Sequence, residues 1–83
     1  MKKLLHFSAV WCVPCQKSQP IVDQFLKENP DVVYKKIDID KDPETATEYS
    51  ILGVPTFISY YAGKQSNRHT GAPTIFQLRS LFD

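Results

Sequence analysis

An apolar run, an amphipathic stretch and a β-branched run follow one another in the first part of the chain. Lys3 to Ser8 carries a nearly unbroken apolar run, which is typical of a strand covered on both faces. Val32 to Asp38 is rich in β-branched and aromatic residues and predicts a second strand. Between them, apolar residues recur on one face of a helix from about Cys12 to Glu28. A strand, a helix and a strand in this order require a parallel pair joined by a right-handed crossover.

The rest of the chain predicts a short helix, a hairpin and a closing helix. Asp42 can cap a helix over Pro43 to Ser50. The segments PTFISYY and KQSNRHT flank AGK, where Gly63 can take a positive φ, and predict an antiparallel hairpin. Thr74 and Gln77 fit a capping box at the start of a last helix that runs to the C-terminus. The predicted fold is therefore α/β, in the order β-α-β-α-β-β-α, with a four-stranded mixed sheet flanked by helices.

Length and charge exclude several classes of protein. With 83 residues the chain is too short for a second independent core, so we expect one domain over residues 1–83. A formal net charge of +1 gives no electrostatic footprint for nucleic acid or for an anionic membrane. The start MKKLLHFSAV is interpreted as a strand and not as a signal peptide, because His6 and Ser8 interrupt the apolar run. We therefore expect a cytoplasmic monomer that binds neither nucleic acid nor membrane.

The two cysteines of the chain, Cys12 and Cys15, allow redox chemistry, metal binding or a structural disulfide. A structural zinc site takes four Cys or His ligands, and only His6 and His69 remain, at no finger-like spacing. A disulfide across so small a loop constrains the unfolded chain little. At the first turn of a helix, however, the sulfurs lie beside unpaired backbone N–H groups and the positive end of the helix dipole. Such a position favours a thiolate, and therefore redox chemistry without a metal.

Three stretches of the sequence resemble the thioredoxin family. The run WCVPC, Trp11 to Cys15, followed by Pro20, is similar to the family's active-site helix. KKIDIDKDPETATEYSILGVPTF is similar to its strand, short helix and Gly-x-Pro-Thr turn, and YYAGKQSNRHTGAPTIFQL to its hairpin and last helix. Together they cover nearly the whole chain. The family's usual first strand and helix have no counterpart, so the chain resembles a minimal form that begins at the central strand, as glutaredoxins do.

The resemblance implies a role for each residue around the cysteine pair. It implies that Cys12 is an exposed nucleophile and Cys15 a buried resolving thiol. Pro55 would occupy the family's cis-proline position, with Val54 offering backbone hydrogen bonds to a substrate strand. The substrate-binding residues that it implies are Trp11, Val13, Pro14, Val54, Pro55, Gly71 and Ala72.

Two further candidate catalytic residues come from a comparison with the family's pattern. The family usually has a buried aspartate beneath the second cysteine, and the matching residue here is His6. His6 either accepts the proton of Cys15 or fills a core position with one satisfied hydrogen bond. Lys36 matches a family lysine near that acid, and the alternative is a solvated strand lysine. The candidate catalytic residues are thus Cys12, Cys15, His6 and Lys36.

These residues predict a dithiol:disulfide oxidoreductase that reduces protein disulfides with no cofactor besides its own cysteine couple. The electron donor implied by the resemblance is a thioredoxin reductase or glutathione. The alternatives are a glutathione-dependent glutaredoxin, a thioredoxin-fold module that only binds a partner, and a protein oxidant with the same fold. The short start of the chain favours the glutaredoxin, whereas the stretch HTGAPT, where glutaredoxins usually carry Gly-Gly and an acidic pair, argues against it.

Overall fold

The computed structural model describes all 83 residues, which form four strands and three helices. In chain order the elements are β1 (Lys2–Ser8), α1 (Val13–Glu28), β2 (Val32–Asp38), α2 (Pro43–Glu48), β3 (Thr56–Tyr61), β4 (Lys64–Thr70) and α3 (Ile75–Ser80). The strands form one mixed sheet in the order β2-β1-β3-β4, with β1 parallel to β2 and antiparallel to β3. The predicted fold class and the predicted order of elements are confirmed. None of the three helices has the length and apolarity to cross a lipid bilayer.

The central strand β1 buries side chains on both faces of the sheet. On one face, Leu4 packs in a cluster with residues of α1, β3 and α3. On the other face, Leu5 and Phe7 pack with Ile37 and Ile58 of the neighbouring strands. Because side chains alternate along a strand, His6 and Ser8 share the face of Leu4 and lie towards α1. The central strand thus places a buried histidine beneath the helix that carries the cysteines.

Helix α1 starts one residue later than predicted, because Cys12 is its N-cap. The backbone of Cys12 is extended, and its side chain accepts a hydrogen bond from the amide of Cys15. Pro14 lies in the first turn, where a missing N–H leaves no intrahelical bond unmade. The sulfur of Cys12 therefore occupies the position that a serine or aspartate oxygen takes in most helix caps.

Helix α2 is shorter than predicted. Asp42 caps it by accepting a hydrogen bond from the amide of Thr45, as expected, but the helix ends at Glu48 and not at Ser50. Tyr49 packs its ring against Phe7, at 5.5 Å between centroids, and Ser50 turns into the left-handed region with φ 55°. The helix thus ends at the residue before Tyr49, whose ring packs against the sheet.

The hairpin and the last helix form with the predicted turn and cap. Ala62 and Gly63 both have positive φ, 54° and 81°, which suits the two-residue turn between β3 and β4. Thr74 and Gln77 form the predicted capping box. Helix α3 ends at Ser80, short of the predicted C-terminus, yet Leu81 is still buried in the core. Arg79 then joins α3 to α1 through Glu28 of α1, with a shortest N–O distance of 2.8 Å.

Candidate active site

The two cysteines form a disulfide at the N-terminal end of α1. Their Cα atoms lie 5.2 Å apart, and the amide nitrogen of Cys15 donates a hydrogen bond of 3.1 Å to the sulfur of Cys12. The start of a helix carries a partial positive charge on its unpaired N–H groups. On reduction this end of the helix stabilises negative charge on the Cys12 sulfur, which is the form of cysteine that attacks a disulfide.

The expected contrast in exposure between the cysteines is wrong for the oxidised protein. Cys12 is only 4% exposed and Cys15 only 2%. The two residues form a small buried cluster with Ala9, and the partly buried side chains of Ile39 and Val54 pack against it. Ile39 follows β2 and Val54 precedes β3, so both lie far from Cys12 in the sequence. Tertiary packing therefore covers Cys12, although it lies outside the helix.

The loop before β3 lies against the disulfide. The Val54–Pro55 peptide bond is cis, and the carbonyl oxygen of Val54 lies 3.7 Å from the sulfur of Cys12. Pro55 is buried, and its own carbonyl accepts a hydrogen bond of 2.8 Å from the amide of Gly71. This bond brings the segment before α3 beside the disulfide loop. The structure thus brings Val54, Pro55 and Gly71 together next to Cys12.

An exposed and largely apolar rim surrounds the covered disulfide. Trp11 is 63% exposed and Val13 53% exposed, and Pro14 and Ala72 are also exposed. The indole nitrogen of Trp11 donates a hydrogen bond of 2.8 Å to a carboxylate oxygen of Asp40, which fixes the ring at the edge of the site. Apolar side chains in contact with water, grouped around a reactive centre, are typical of a surface that binds another molecule.

His6 is completely buried in the sheet face towards α1. Its ring stacks on Phe57, with centroids 4.3 Å apart, and its Nδ1 shares a hydrogen bond of 2.8 Å with the hydroxyl of Tyr34. Its Nε2 has no hydrogen-bond partner. Burial, and secondarily the positive charge of Lys36, lower the pKa of His6 to about 4. The imidazole is therefore neutral at pH 7, and burial also raises the pKa of Tyr34.

Lys36 is exposed on β2, directly across from His6 in the register of the two parallel strands. Its ammonium group donates a hydrogen bond of 2.9 Å to the side-chain oxygen of Gln19 on α1. Lys36 and Cys15 line the same surface groove, whose volume is about 720 Å³. Lys36 and Cys15 thus face the same groove, and the charge of Lys36 adds to the effect of burial in lowering the pKa of His6.

Sequence reasoning missed the polar partners of three site residues. The sequence identifies Tyr34 only as a strand residue, whereas the structure makes it the hydrogen-bond partner of His6. Likewise, the sequence does not identify Gln19 as the acceptor of the hydrogen bond from Lys36. Nothing in the sequence indicates that Asp40, two residues after the end of β2, accepts a hydrogen bond from Trp11. The one signal in the sequence is that Tyr34 and Lys36 are two residues apart, and so share a face of β2. Their contacts depend on the register between β1 and β2, which a single sequence does not reveal.

The reactive groups at the start of α1 are the two cysteine sulfurs. Two sulfurs at a helix start can lose two electrons to form a disulfide, or gain two to open it. No cluster of three or more His, Cys, Asp or Glu side chains has the spacing of a metal site. The arrangement therefore suits exchange between this disulfide and the dithiol or disulfide of another molecule.

Comparison with known proteins matches this chain to thioredoxins. The family model described as thioredoxin matches residues 1–83. A thioredoxin from Acidithiobacillus ferridurans is 36% identical over 81 residues, which make up 96% of this chain and 75% of that protein. Thioredoxin H5 from Oryza sativa is 40% identical over 55 residues, or 66% of this chain and 41% of the rice protein. Part of each relative thus has no counterpart in this chain.

A solved structure reproduces the arrangement of the whole chain. The crystal structure of oxidised mitochondrial thioredoxin 3 from Saccharomyces cerevisiae superposes with a TM-score of 0.92 at 30% identity. The match covers 99% of this chain and 77% of the yeast chain. The backbone described above is therefore similar to that of this relative along almost its full length.

Proposed function

Because the chain belongs to the thioredoxin family, we propose that it is a dithiol:disulfide oxidoreductase that reduces the disulfides of other proteins through Cys12 and Cys15. The observation that carries the proposal is the hydrogen bond from the Cys15 amide to the Cys12 sulfur at the start of α1. This contact favours the thiolate at Cys12 over the thiol, and so supports Cys12 as the nucleophile.

The reaction transfers two electrons in two exchange steps. In the first, the Cys12 thiolate attacks one sulfur of the target disulfide, and the other target sulfur leaves as a thiolate that takes up a proton. In the second, the thiolate of Cys15 attacks the sulfur of Cys12, and the remaining target sulfur leaves. The target is then a dithiol and the protein carries the Cys12–Cys15 disulfide. Three-residue spacing at a helix start brings the sulfurs close enough for the second step.

We assign His6, which is buried on the sheet face towards α1, to the second step as the group that accepts the proton of Cys15. Cys15 must lose its proton before it attacks, and the buried Nε2 of His6 has no partner. In the tautomer that carries its proton on Nδ1, donated to the oxygen of Tyr34, Nε2 is a free acceptor. With a pKa of about 4, His6 holds such a proton only transiently. The charge of Lys36 contributes to this low pKa in addition to burial.

A His6→Asn variant separates this role from simple core filling. The first step, formation of the mixed disulfide, should keep its rate, whereas the second step should slow by about tenfold or more at pH 7. Stopped-flow measurement of the two steps makes the distinction. Equal slowing of both steps, or no slowing, would leave His6 with a structural role alone. The same measurement on Lys36→Gln tests whether the lysine acts through the histidine.

The rim supplies the binding surface for the target. Trp11, Val13, Pro14 and Ala72 are exposed, and Gly71 lies beside the Val54–Pro55 loop. An extended segment of the target would lie on these residues, with its backbone bonded to Val54. The electrons for the next cycle would come from a thioredoxin reductase, in a reducing compartment such as the cytoplasm.

The direct test is turnover of insulin disulfides with NADPH and a thioredoxin reductase. The unmodified protein should catalyse the reduction, and Cys12→Ser should abolish it. Cys15→Ser, the matched control, should also stop turnover but accumulate a mixed disulfide between Cys12 and the target. Loss of activity without that intermediate would contradict the assignment of Cys12 as nucleophile. Efficient reduction of the oxidised protein by glutathione alone would instead indicate a glutaredoxin.

A further inference from the structure

Tyr34 is the one hydrogen-bond partner of the buried histidine. It lies on β2, opposite Leu4 of β1 in the register of the two strands, and it packs against the core cluster that contains residues of α1. From there its hydroxyl reaches diagonally to Nδ1 of His6, at 2.8 Å. The ring stacked on His6 is that of Phe57, which offers no hydrogen bond. The hydrogen bonding of the imidazole therefore depends on this single phenol.

The hydroxyl decides which nitrogen of His6 carries the proton. A neutral imidazole has one N–H group and one bare nitrogen. If the phenol of Tyr34 donated its hydrogen to Nδ1, the N–H group would lie at Nε2, where it has no acceptor. If Nδ1–H instead donates to the phenol oxygen, Nε2 is a bare acceptor. Buried N–H groups without an acceptor are rarer in proteins than acceptors without a donor, so the second arrangement is favoured.

The phenol of Tyr34 keeps its own hydrogen at pH 7. Burial raises the pKa of Tyr34, Gln19 of α1 counteracts part of this rise, and the negative charge of Asp23 adds to it. Gln19 is itself held from both sides, because it accepts a hydrogen bond of 2.9 Å from Lys36 and donates one of 2.9 Å to Asp23. Tyr34 thus lies between the buried His6 and a set of polar side chains on α1 and β2.

We propose that Tyr34 is a positioning residue of the second exchange step, in which it holds the proton of neutral His6 on Nδ1 and leaves Nε2 free for the proton of Cys15. This inference rests on the proposed function and adds a residue to it. As the S–H bond of Cys15 breaks and an Nε2–H bond forms, the imidazole becomes positively charged, and the hydrogen bond from Nδ1 to the phenol becomes stronger. The proton then passes to water and the neutral tautomer returns.

NMR identifies the tautomer directly. In the reduced protein with isotope-labelled histidine, correlations between the ring nitrogens and the ring protons should show that His6 is protonated on Nδ1. Tyr34→Phe keeps the ring and removes only the hydroxyl, so this preference should be lost. His69 on β4 is the internal control, because its signals should be the same in both proteins. A proton on Nε2 in the unmodified protein, or an unchanged tautomer in Tyr34→Phe, would overturn the proposal.

Stopped-flow kinetics test whether the tautomer affects the reaction. Tyr34→Phe should slow the second step about tenfold at pH 7 and leave the first step unchanged. The matched control is Tyr61→Phe, which removes an exposed hydroxyl at the end of β3 that pairs with Lys2, and it should change neither step. Equal slowing of both steps by Tyr34→Phe, or no slowing of the second, would overturn the proposal.

A double variant separates action through His6 from a loss of packing. In His6→Asn the phenol has no imidazole to orient, so the addition of Tyr34→Phe should slow the second step no further. Further slowing of similar size would show that Tyr34 acts by another route and would overturn its assigned role.

Insulin turnover by the unmodified protein tests the proposed function alone. Normal turnover together with equal second-step rates in Tyr34→Phe and the unmodified protein would overturn the role of Tyr34 and leave the function intact. No turnover by the unmodified protein would refute the function, and the role of Tyr34 with it.

Discussion

The sulfur of Cys12 accepts a hydrogen bond from the amide of Cys15 at 3.1 Å, so the reactive atom is also the cap of helix α1. A capping group that becomes negatively charged strengthens both its hydrogen bond and its interaction with the helix dipole. Reactivity at Cys12 and the folding of the first turn of α1 are therefore linked. Four predictions follow from this and other contacts.

The first prediction concerns the reactivity of the reduced protein. Because the helix start favours the thiolate, iodoacetamide should modify Cys12 at pH 7 faster than it modifies the same protein unfolded in guanidinium. Cys15, whose sulfur accepts no such hydrogen bond from the start of the helix, should react more slowly than Cys12. Mass spectrometry of samples quenched over time gives both rates. Equal rates for Cys12 in the folded and unfolded protein would contradict the role of the helix.

The second prediction concerns acid stability. The pKa of His6 is about 4 in the folded protein and close to its ordinary 6.5 when unfolded. Between these pH values the unfolded state binds a proton that the folded state excludes. The contribution of His6 is therefore present above pH 6.5 and lost as the pH falls towards 4. The free energy of unfolding should fall by up to about 1.4 kcal/mol per pH unit in this window.

Urea unfolding at several pH values measures this slope. His6→Gln should flatten it, whereas His69→Gln, at a partly exposed position of β4, should leave it unchanged. A similar slope in the two variants would show that another group causes the loss of stability.

The third prediction compares two phenylalanines. Phe25 is 1% exposed and stacks on Phe82, with ring centroids 5.7 Å apart, whereas Phe76 is 70% exposed. Phe25→Ala should lower the free energy of unfolding by about 3–5 kcal/mol, because it leaves a cavity in the core. Phe76→Ala should change it by about 0.5 kcal/mol or less. Chemical denaturation of both variants makes the comparison, and equal losses would contradict the packing of α1 against the C-terminal segment.

The fourth prediction concerns the cap of α3. The hydroxyl of Thr74 accepts a hydrogen bond of 3.1 Å from the amide of Gln77, and the Gln77 side chain accepts one of 2.8 Å from the amide of Thr74. Thr74→Ala should cost about 1 kcal/mol of stability. Thr74→Ser keeps the oxygen and should cost much less. Thermal unfolding followed by circular dichroism gives both values, and equal effects would mean that the threonine methyl, not the cap, is what matters.

The sequence was sufficient for the elements whose signals are local. The bounds of β2, the cap at Asp42, the turn at Gly63 and the capping box at Thr74 were all predicted, because each depends on neighbouring residues. The burial of Cys12 was not predicted, since it depends on Val54, 42 residues further along the chain.

Other parts of the site depend on how strands align. The hydrogen bond between His6 and Tyr34 joins residues 28 apart and needs the register of β1 with β2. The contact of Trp11 with Asp40 spans 29 residues. The groove follows from β2 lying at the margin of the sheet, which is a property of topology. The pattern of residues along one sequence does not reveal which strands pair or in which register. The resemblance to the thioredoxin family did identify the loop at Pro55.

Strand β4, at the opposite margin of the sheet, exposes all of its residues except His69, which is partly covered. Lys64 and Arg68 are among the exposed side chains. A neighbour that extended the sheet there would have to strip water from these cations, which disfavours such growth. The positive charge on this margin therefore disfavours edge-to-edge association of two copies through β4.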